Sequence, residues 1–400
     1  MVRRSINFPF CLHNHHKAGI IRYIVQSHFG DPSHLSVRYK TSGGKRPKKK
    51  IYYRVHELDR VMDLNKKPTA IRQLKSIIQN QKHHFLPLRD LEKEVGFVGK
   101  WNLMAVIEKY ATIFHVSSGN SRIPPAVMLT EKAVKVASKE TSAREKMEPI
   151  LVNNMKKLLM LSVDCRVRMD KIDYIEAALG LPADYKKSLI PKYPEFFSVK
   201  DINGKDYLQL ENWDSSLAVT AREEKLAGSR VNDIKQHSKT AKIPNDGNIT
   251  GPFAFKLKFP VGFRPNVSYL EEVIRWQKMD FPSPYLNARK FDIADPKARK
   301  RVVAVLHEFL SLTMEKRMTS AQLEAFHSEL MLPSRLLLCL IKHHGIFYIT
   351  NKGAKSTVFL KEAYDGSRLI DKCPLLMFYD EFMALTGRTD AHCVRHTLGF

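Results

Sequence analysis

One phrase, written three times, limits this chain more than any other feature. Residues 109–116 read KYATIFHV, residues 192–199 KYPEFFSV and residues 342–349 KHHGIFYI. Each copy runs lysine, aromatic or histidine, two variable residues, a large apolar residue, phenylalanine, one variable residue and a β-branched residue. A chain that repeats such a phrase is expected to repeat the local structure around it.

The similarity extends upstream. Counting back nine and six positions from Phe97, Leu181 and Leu332 gives the apolar pairs Leu88 and Leu91, Ile172 and Ile175, Leu323 and Phe326. Spacing of i, i+3 before a Gly or Met-Leu-Pro stop predicts a short amphipathic helix ended by a breaker. Ahead of each lies a longer helical pattern, AIRQLKSIIQ from Ala70, REKMEPILVNNMKKLLML from Arg144 and PKARKRVVAVLHEFLSLT from Pro296. Asp295 before Pro296 has the form of an N-cap with proline at the first helical position. A third helix follows each breaker, as in ADYKKSLIPKY and SRLLLCLIKHH.

Downstream the apolar period falls to two, which marks strands. FFSV leads through DINGKD to YLQLE, and FYIT through NKGAKS to TVFLKE. Asn203-Gly204 is a hairpin turn signal, and Gly353 is expected to serve in the last copy. The fold class predicted is therefore α+β, mainly helical, with three winged-helix-like repeats of three helices and a β-hairpin at about 68–135, 144–213 and 295–365. An insertion occupies 214–294. Phe114, Phe197 and Phe347 sit where the third helix meets the first strand. A core plug is preferred there over the rival reading of rings that stack on nucleic-acid bases. In the insertion, FAFKLKFPVGF alternates like a strand with Lys256 and Lys258 on one face, and that face is equally well read as an RNA contact or as a solvated edge.

Charge points to the partner. Sixty-six lysines and arginines against 41 acids leave a net +25, and a polyanion is the simplest recipient of that excess. The first 50 residues hold 11 of the basic residues and one acid, Asp31. Their apolar residues are interrupted by charge, so they resemble an organellar transit peptide and basic linker and not a secretory signal, with a nucleic-acid-binding arm as the alternative. Five scattered cysteines form no C-x-x-C pair, and HCVRH at 392–396 finds no completing ligands, so neither a disulfide framework nor a metal site is expected. No apolar run reaches the roughly 20 residues of a membrane span, so no membrane insertion is expected. No phosphate-binding glycine loop, HExxH or GxSxG motif is present, so neither enzyme activity nor a cofactor is expected.

The residues also resemble a known family, the plant organelle RNA recognition domain proteins of the "What's this factor" type. The resemblance rests on RVHELDRVM (54–62), KYPEFFSV, WDSSLAVTAREEK (213–225), FKLKFPVGF (255–263), WQKMDFPSPY (276–285), RVVAVLHEFLSLTMEKR (301–317), LPSRLLLCLIKHHGIFYIT (332–350) and TVFLKEAYDGSRLIDKCPLL (357–376). It covers about 52–377, leaving 378–400 as a C-terminal tail. The resemblance implies a non-catalytic RNA-binding protein of mitochondria or, alternatively, chloroplasts, which promotes splicing of group II introns with intron RNA and other splicing factors as partners. KYATIF lacks the proline usual after the tyrosine, and KHHGIF has His344 where proline is frequent.

The resemblance supplies no residue-level contacts. Cations on the predicted third helices, hairpin turns and insertion strand are the candidates: Lys100, Lys109, Lys186, Lys187, Lys192, Lys205, Lys256, Lys258, Arg335, Lys342, Lys352 and Lys355. Two further readings stay open. One is a winged-helix DNA-binding protein, although SRLLLCLIKHH offers few base-reading side chains. The other is a general organellar RNA-stability factor.

Overall fold

A computed structural model of the chain describes residues 54–91, 103–118, 124–225, 267–268, 271, 282–292, 295–353 and 355–387. The predicted transit segment, Lys100, Lys256, Lys258 and the insertion's predicted strand lie outside the described residues. The described residues belong to one compact unit, 52–400.

The chain enters through α1 (His56–Leu64) and bends at Asn65 into α2 (Lys66–Asn80). Ile71, Leu74 and Ile78 fall on one stripe of α2 and are buried, as the 3.6-residue period requires. There follow β1 (Phe85–Pro87), α3 (Leu103–Lys109), β2 (Phe114–Ser117) and β3 (Ala126–Leu129). Thr130 then caps α4 (Glu131–Ala137), its hydroxyl accepting from the Ala133 amide at 3.3 Å. The second block contains α5 (Lys139–Leu161), β4 (Arg166–Arg168), α6 (Met169–Leu179), α7 (Tyr185–Ser188), β5 (Phe197–Asp201) and β6 (Asp206–Leu210). The third contains α8 (Pro296–Leu312), β7 (Arg317–Thr319), α9 (Ser320–Ala325), α10 (His327–Leu330), α11 (Leu336–Lys342), β8 (Phe347–Thr350) and β9 (Thr357–Leu360). A short ribbon, β10 (Tyr364–Asp365) with β11 (Arg368–Leu369), leads to α12 (Pro374–Ala384).

The fold is thus mixed α and β with small antiparallel sheets. Each of the three blocks has a three-stranded sheet of the same order, β1-β3-β2, β4-β6-β5 and β7-β9-β8. The registers also agree. Val127, Leu208 and Val358 sit at the centre of each sheet, fully buried, between Leu86 and Val116, Val167 and Val199, Met318 and Ile349. The edge strands β1, β4 and β7 were missed by periodicity, because three residues are too few to display a period.

The repeated phrase is a turn that feeds a strand. The carbonyls of Tyr110, Tyr193 and His343 each accept two amides, from Ile113 and Phe114, Phe196 and Phe197, Ile346 and Phe347, at 2.8–3.1 Å. Phe114, Phe197 and Phe347 then open β2, β5 and β8 opposite Leu129, Leu210 and Leu360. All three rings are buried, at 2%, 3% and 2% exposure. Burial of a ring stabilises by roughly 2 kcal/mol or more, and rings this enclosed are not free to stack on bases.

A left-handed residue precedes each first strand: His84, Cys165 and Lys316, with φ of 56°, 50° and 50°. Counted from it, Leu91, Ile172 and Leu323 are each the seventh residue, and all three are buried. The pairing of Leu88 with Ile172 is therefore corrected by three residues in the first block. Counting back from the breakers misplaces it, because Phe97 stands 13 positions after the left-handed residue, whereas Leu181 and Leu332 stand 16 after theirs. Asn203 and Gly204 both have positive φ (56° and 70°), and Ile202 and Lys205 bond across them, so the predicted tight hairpin is present. Gly353 has no positive φ; a Cβ there would lie 3.0 Å from Met62 Cε of α1 and 3.3 Å from the Lys355 carbonyl oxygen.

Helices α5 and α8 form the centre. From Met155 to Leu161 and from Val303 to Leu310 every residue is buried, including Lys156, Lys157, His307 and Glu308. A helix end apolar or paired on all sides belongs in an interior. Asp295 caps α8 as expected, accepting from the Lys297 amide at 2.8 Å. Helix α12 packs on α4 and α5, burying Leu375, Phe378 and Phe382. It runs across residue 377, where the sequence reading ended the domain.

Candidate nucleic-acid interface

The candidate cations fall into two groups. Lys109 at the end of α3, Lys187 in α7, Lys205 in the β5–β6 turn and Arg335 before α11 are exposed and have no ion-pair partner among the described residues. Such side chains can approach a phosphate without giving up an existing contact. Lys342 ends α11.

The others are engaged. Lys186 binds Asp173 at 2.7 Å, and Lys192 binds Glu148, which also accepts from Tyr193 OH at 2.6 Å. These two donors hold Glu148 below the usual carboxylate range. Lys352 binds Asp63 of α1. Lys355 lies 5.8 Å from the Tyr174 ring, across the seam between the second and third blocks. Exposed pairs of this kind contribute little stability, on the order of 0–1 kcal/mol. They do neutralise the lysines as sources of field, so Lys186, Lys192 and Lys352 read better as connectors than as free anion contacts.

Charge is distributed unequally over the repeats. From Leu64 to Lys139 the sequence has 13 lysines and arginines against five acids, from Glu140 to Trp213 12 against 12, and from Asp295 to Asp365 11 against seven. Of the three blocks, the first therefore supplies the largest share of the positive potential that a polyanion would meet. Sequence reasoning overlooked its strongest stretch: between Asp63 and Asp90 there are six lysines and arginines, two histidines and no acid. A count of acid-free runs would have found it.

The WDSSLAVTAREEK segment is structural. Asp214 binds the buried Lys156 at 2.9 Å, and Lys156 also lies 4.1 Å from the Phe196 ring centroid. The Ala221 amide donates to Glu308 Oε2 at 2.8 Å, while Tyr285 OH donates to Glu308 Oε1 at 2.7 Å. Lys157 reaches Glu224 at 3.0 Å and Glu308 at 3.6 Å. Charges buried this deeply demand partners, and here they fasten both ends of the insertion to α5 and α8. Among the described residues no group of His, Cys, Asp and Glu is arranged to hold a metal ion, and no helix is long and apolar enough to cross a membrane.

A basic surface set on three like sheets defines the class of protein to compare. A family model described as the plant organelle RNA recognition domain matches residues 53–391, and the chain belongs to that family. It is 30% identical over 340 residues to Protein ROOT PRIMORDIUM DEFECTIVE 1 of Arabidopsis thaliana, covering 81% of this chain and 80% of that one. It is 29% identical over 332 residues to Protein WHAT'S THIS FACTOR 1 homolog, chloroplastic, of the same plant, covering 82% of this chain and 61% of that one. Protein WHAT'S THIS FACTOR 9, mitochondrial, also of Arabidopsis thaliana, is 23% identical over 326 residues, 80% of each chain. The match spans 61–65% of the length of the WHAT'S THIS FACTOR 1 relatives from Arabidopsis, rice and maize. No solved structure matches the chain.

Proposed function

We propose that this protein is an organellar RNA-binding protein that binds group II intron RNA and promotes its splicing without catalysing a reaction itself. The observation that supports this best is membership of an RNA recognition family over 53–391, joined to a net charge of +25. Each block is read as a winged helix-turn-helix unit, at about 68–135, 144–213 and 295–365, with 214–294 as an insertion and 1–50 as a transit peptide and linker. The shared strand order supports that reading, since a winged helix pairs its first short strand with the far strand of its hairpin. Mitochondria are the preferred destination and chloroplasts the alternative; relatives are named for both.

A large RNA that must fold before it splices gains from a basic partner that holds single-stranded and junction segments by their phosphates. Several modest contacts on one chain act together by effective concentration. The test is immunoprecipitation of the protein from purified organelles and sequencing of the bound RNA. Enrichment of intron sequence is expected; an even spread over unrelated transcripts would remove the splicing role.

A further inference from the structure

The second and third blocks face each other through a reciprocal contact. Val163 donates its amide to Glu329 O at 2.8 Å, and Met314 donates its amide to Ala178 O at 2.9 Å. Val163 and Met314 each stand two residues before the left-handed residue, Cys165 or Lys316, and Ala178 and Glu329 each stand thirteen after it. Like residues exchange like bonds, the pattern of a two-fold interface. In these blocks the turn before the first strand reads Ser-Val-Asp-Cys and Thr-Met-Glu-Lys.

In the first block the same turn reads Gln81-Lys82-His83-His84, and among the described residues it makes no such backbone exchange with another block. Lys82, His83 and His84 are exposed. An apolar residue and an acid have been replaced by a cation and an imidazole. The His83 ring stacks on Phe85, with centroids 5.8 Å apart and planes 17° from parallel. His84 is held by Gln79 O at 3.0 Å, which fixes the left-handed corner. Arg89, on the turn that follows β1, is exposed and pairs with its neighbour Asp90 at 3.4 Å, a long exposed contact that contributes little and that a phosphate can displace. The turn lies within the acid-free run from Leu64 to Arg89.

We propose that the Lys82–His83–Arg89 edge of the first block is a contact for single-stranded RNA, with Lys82 and Arg89 meeting phosphates and the His83–Phe85 pair offering a stacking face for a base. This rests on the RNA-binding reading above and divides the labour between the blocks. The second and third have joined the corresponding edges to each other, whereas Lys82, His83 and His84 of the first are exposed. A second copy of the chain is disfavoured as the occupant, because a two-fold contact there would set Lys82 and His83 against their own copies.

The test measures binding of the full chain to a labelled single-stranded RNA oligonucleotide of mixed sequence over a range of salt. Lys82→Glu with Arg89→Glu is expected to weaken binding roughly tenfold or more and to flatten the salt dependence by about 1.4 in log–log slope, two phosphates' worth for a single strand. His83→Ala is expected to weaken it about fivefold with the slope unchanged. Lys146→Glu with Lys200→Glu, exposed lysines of the second block outside the candidate set, serves as the control and is expected to stay within about twofold, since its block is electrically neutral. If the double reversal lowers the melting temperature, Lys82→Gln with His83→Ala makes the same comparison. Wild-type binding retained in the first-block variants overturns the proposal, as does loss confined to the second-block control or a switch from dimer to monomer with RNA affinity unchanged. Failure of the wild-type chain to bind RNA would instead overturn the reading on which the proposal rests.

Discussion

Met314 donates its amide to the carbonyl of Ala178 across 2.9 Å, and its thioether lies against Gly180 so closely that a Cβ on that glycine would stand 2.4 Å from the sulfur. The second and third blocks are therefore locked at a point where one methyl group has no room. Gly180 also has φ +85°, a conformation that costs other residues about 1–2 kcal/mol.

Gly180→Ala is accordingly expected to destabilise the protein by about 2 kcal/mol or more, from backbone strain and displacement of Met314 together. Met314→Ala in the same chain should recover the steric part, giving a coupling of at least about 0.5 kcal/mol in a double-mutant cycle read by denaturant midpoints. Strict additivity would show that the contact does not bind the blocks.

Helix α1 is fastened to the third sheet through a buried carboxylate. Asp59 Oδ1 accepts from Tyr348 OH at 2.9 Å and Thr350 Oγ1 at 2.5 Å, and Arg54 closes the other oxygen. Leu58 and Val61 pack with Tyr348 and Phe359 beside it. Asp59→Ala leaves two buried hydroxyls without their acceptor, at a cost of about 1–3 kcal/mol. Amide exchange should accelerate in α1 and the β8–β9 strands first, while the first block keeps its protection.

The C-terminal helix belongs to the core of the first and second blocks. Lys75 of α2 binds Glu140 of α5, and its ammonium lies 5.2 Å from the Phe378 ring and 5.5 Å from the Phe382 ring of α12. Glu140→Gln should cost about 3 kcal/mol, because it strands a buried cation, whereas Lys75→Met with Glu140→Leu should be close to neutral. Urea unfolding of the three chains decides between this and a superficial pair, for which all would unfold alike.

Acid should unfold the protein over a defined window. In Asp59, Glu140 and Glu362 burial raises the carboxyl pKa, but hydrogen bonds led by those from Thr350, Lys75 and His307 respectively bring it below the usual value. In Asp214 the Lys156 hydrogen bond dominates and takes it from 3.8 to about 2. A depressed folded value means that the unfolded chain takes up protons first. The stability these groups contribute is complete above ordinary carboxylate values and is lost as pH falls through the folded ones. The melting temperature should hold from pH 7 to about 5 and fall between about 4 and 2, with Asp214→Asn losing less over that interval than the parent chain. An equal loss in both would remove Asp214 from the account.

Much of the fold was legible because the repeated signals are local. The rings at 114, 197 and 347, the Asp295 cap and the Asn203-Gly204 turn each declare themselves in a few residues of sequence. What escaped depends on pairing at a distance. β1, β4 and β7 are strands only because β3, β6 and β9 lie beside them. Lys192 and Lys352 read as free cations until Glu148 and Asp63 are brought to them by the fold. The Lys82–His83 edge was missed because its interest appears only when the turn is compared with Val163-Asp164 and Met314-Glu315.

A basic surface made for RNA should prefer it to duplex DNA, and the decisive measurement is competition between single-stranded intron RNA and duplex DNA of the same length for the full chain, repeated across a salt series. RNA should hold against an equal concentration of duplex at every salt concentration, with log affinity falling linearly in log salt. Displacement of the RNA by duplex DNA, or binding indifferent to salt, would contradict it.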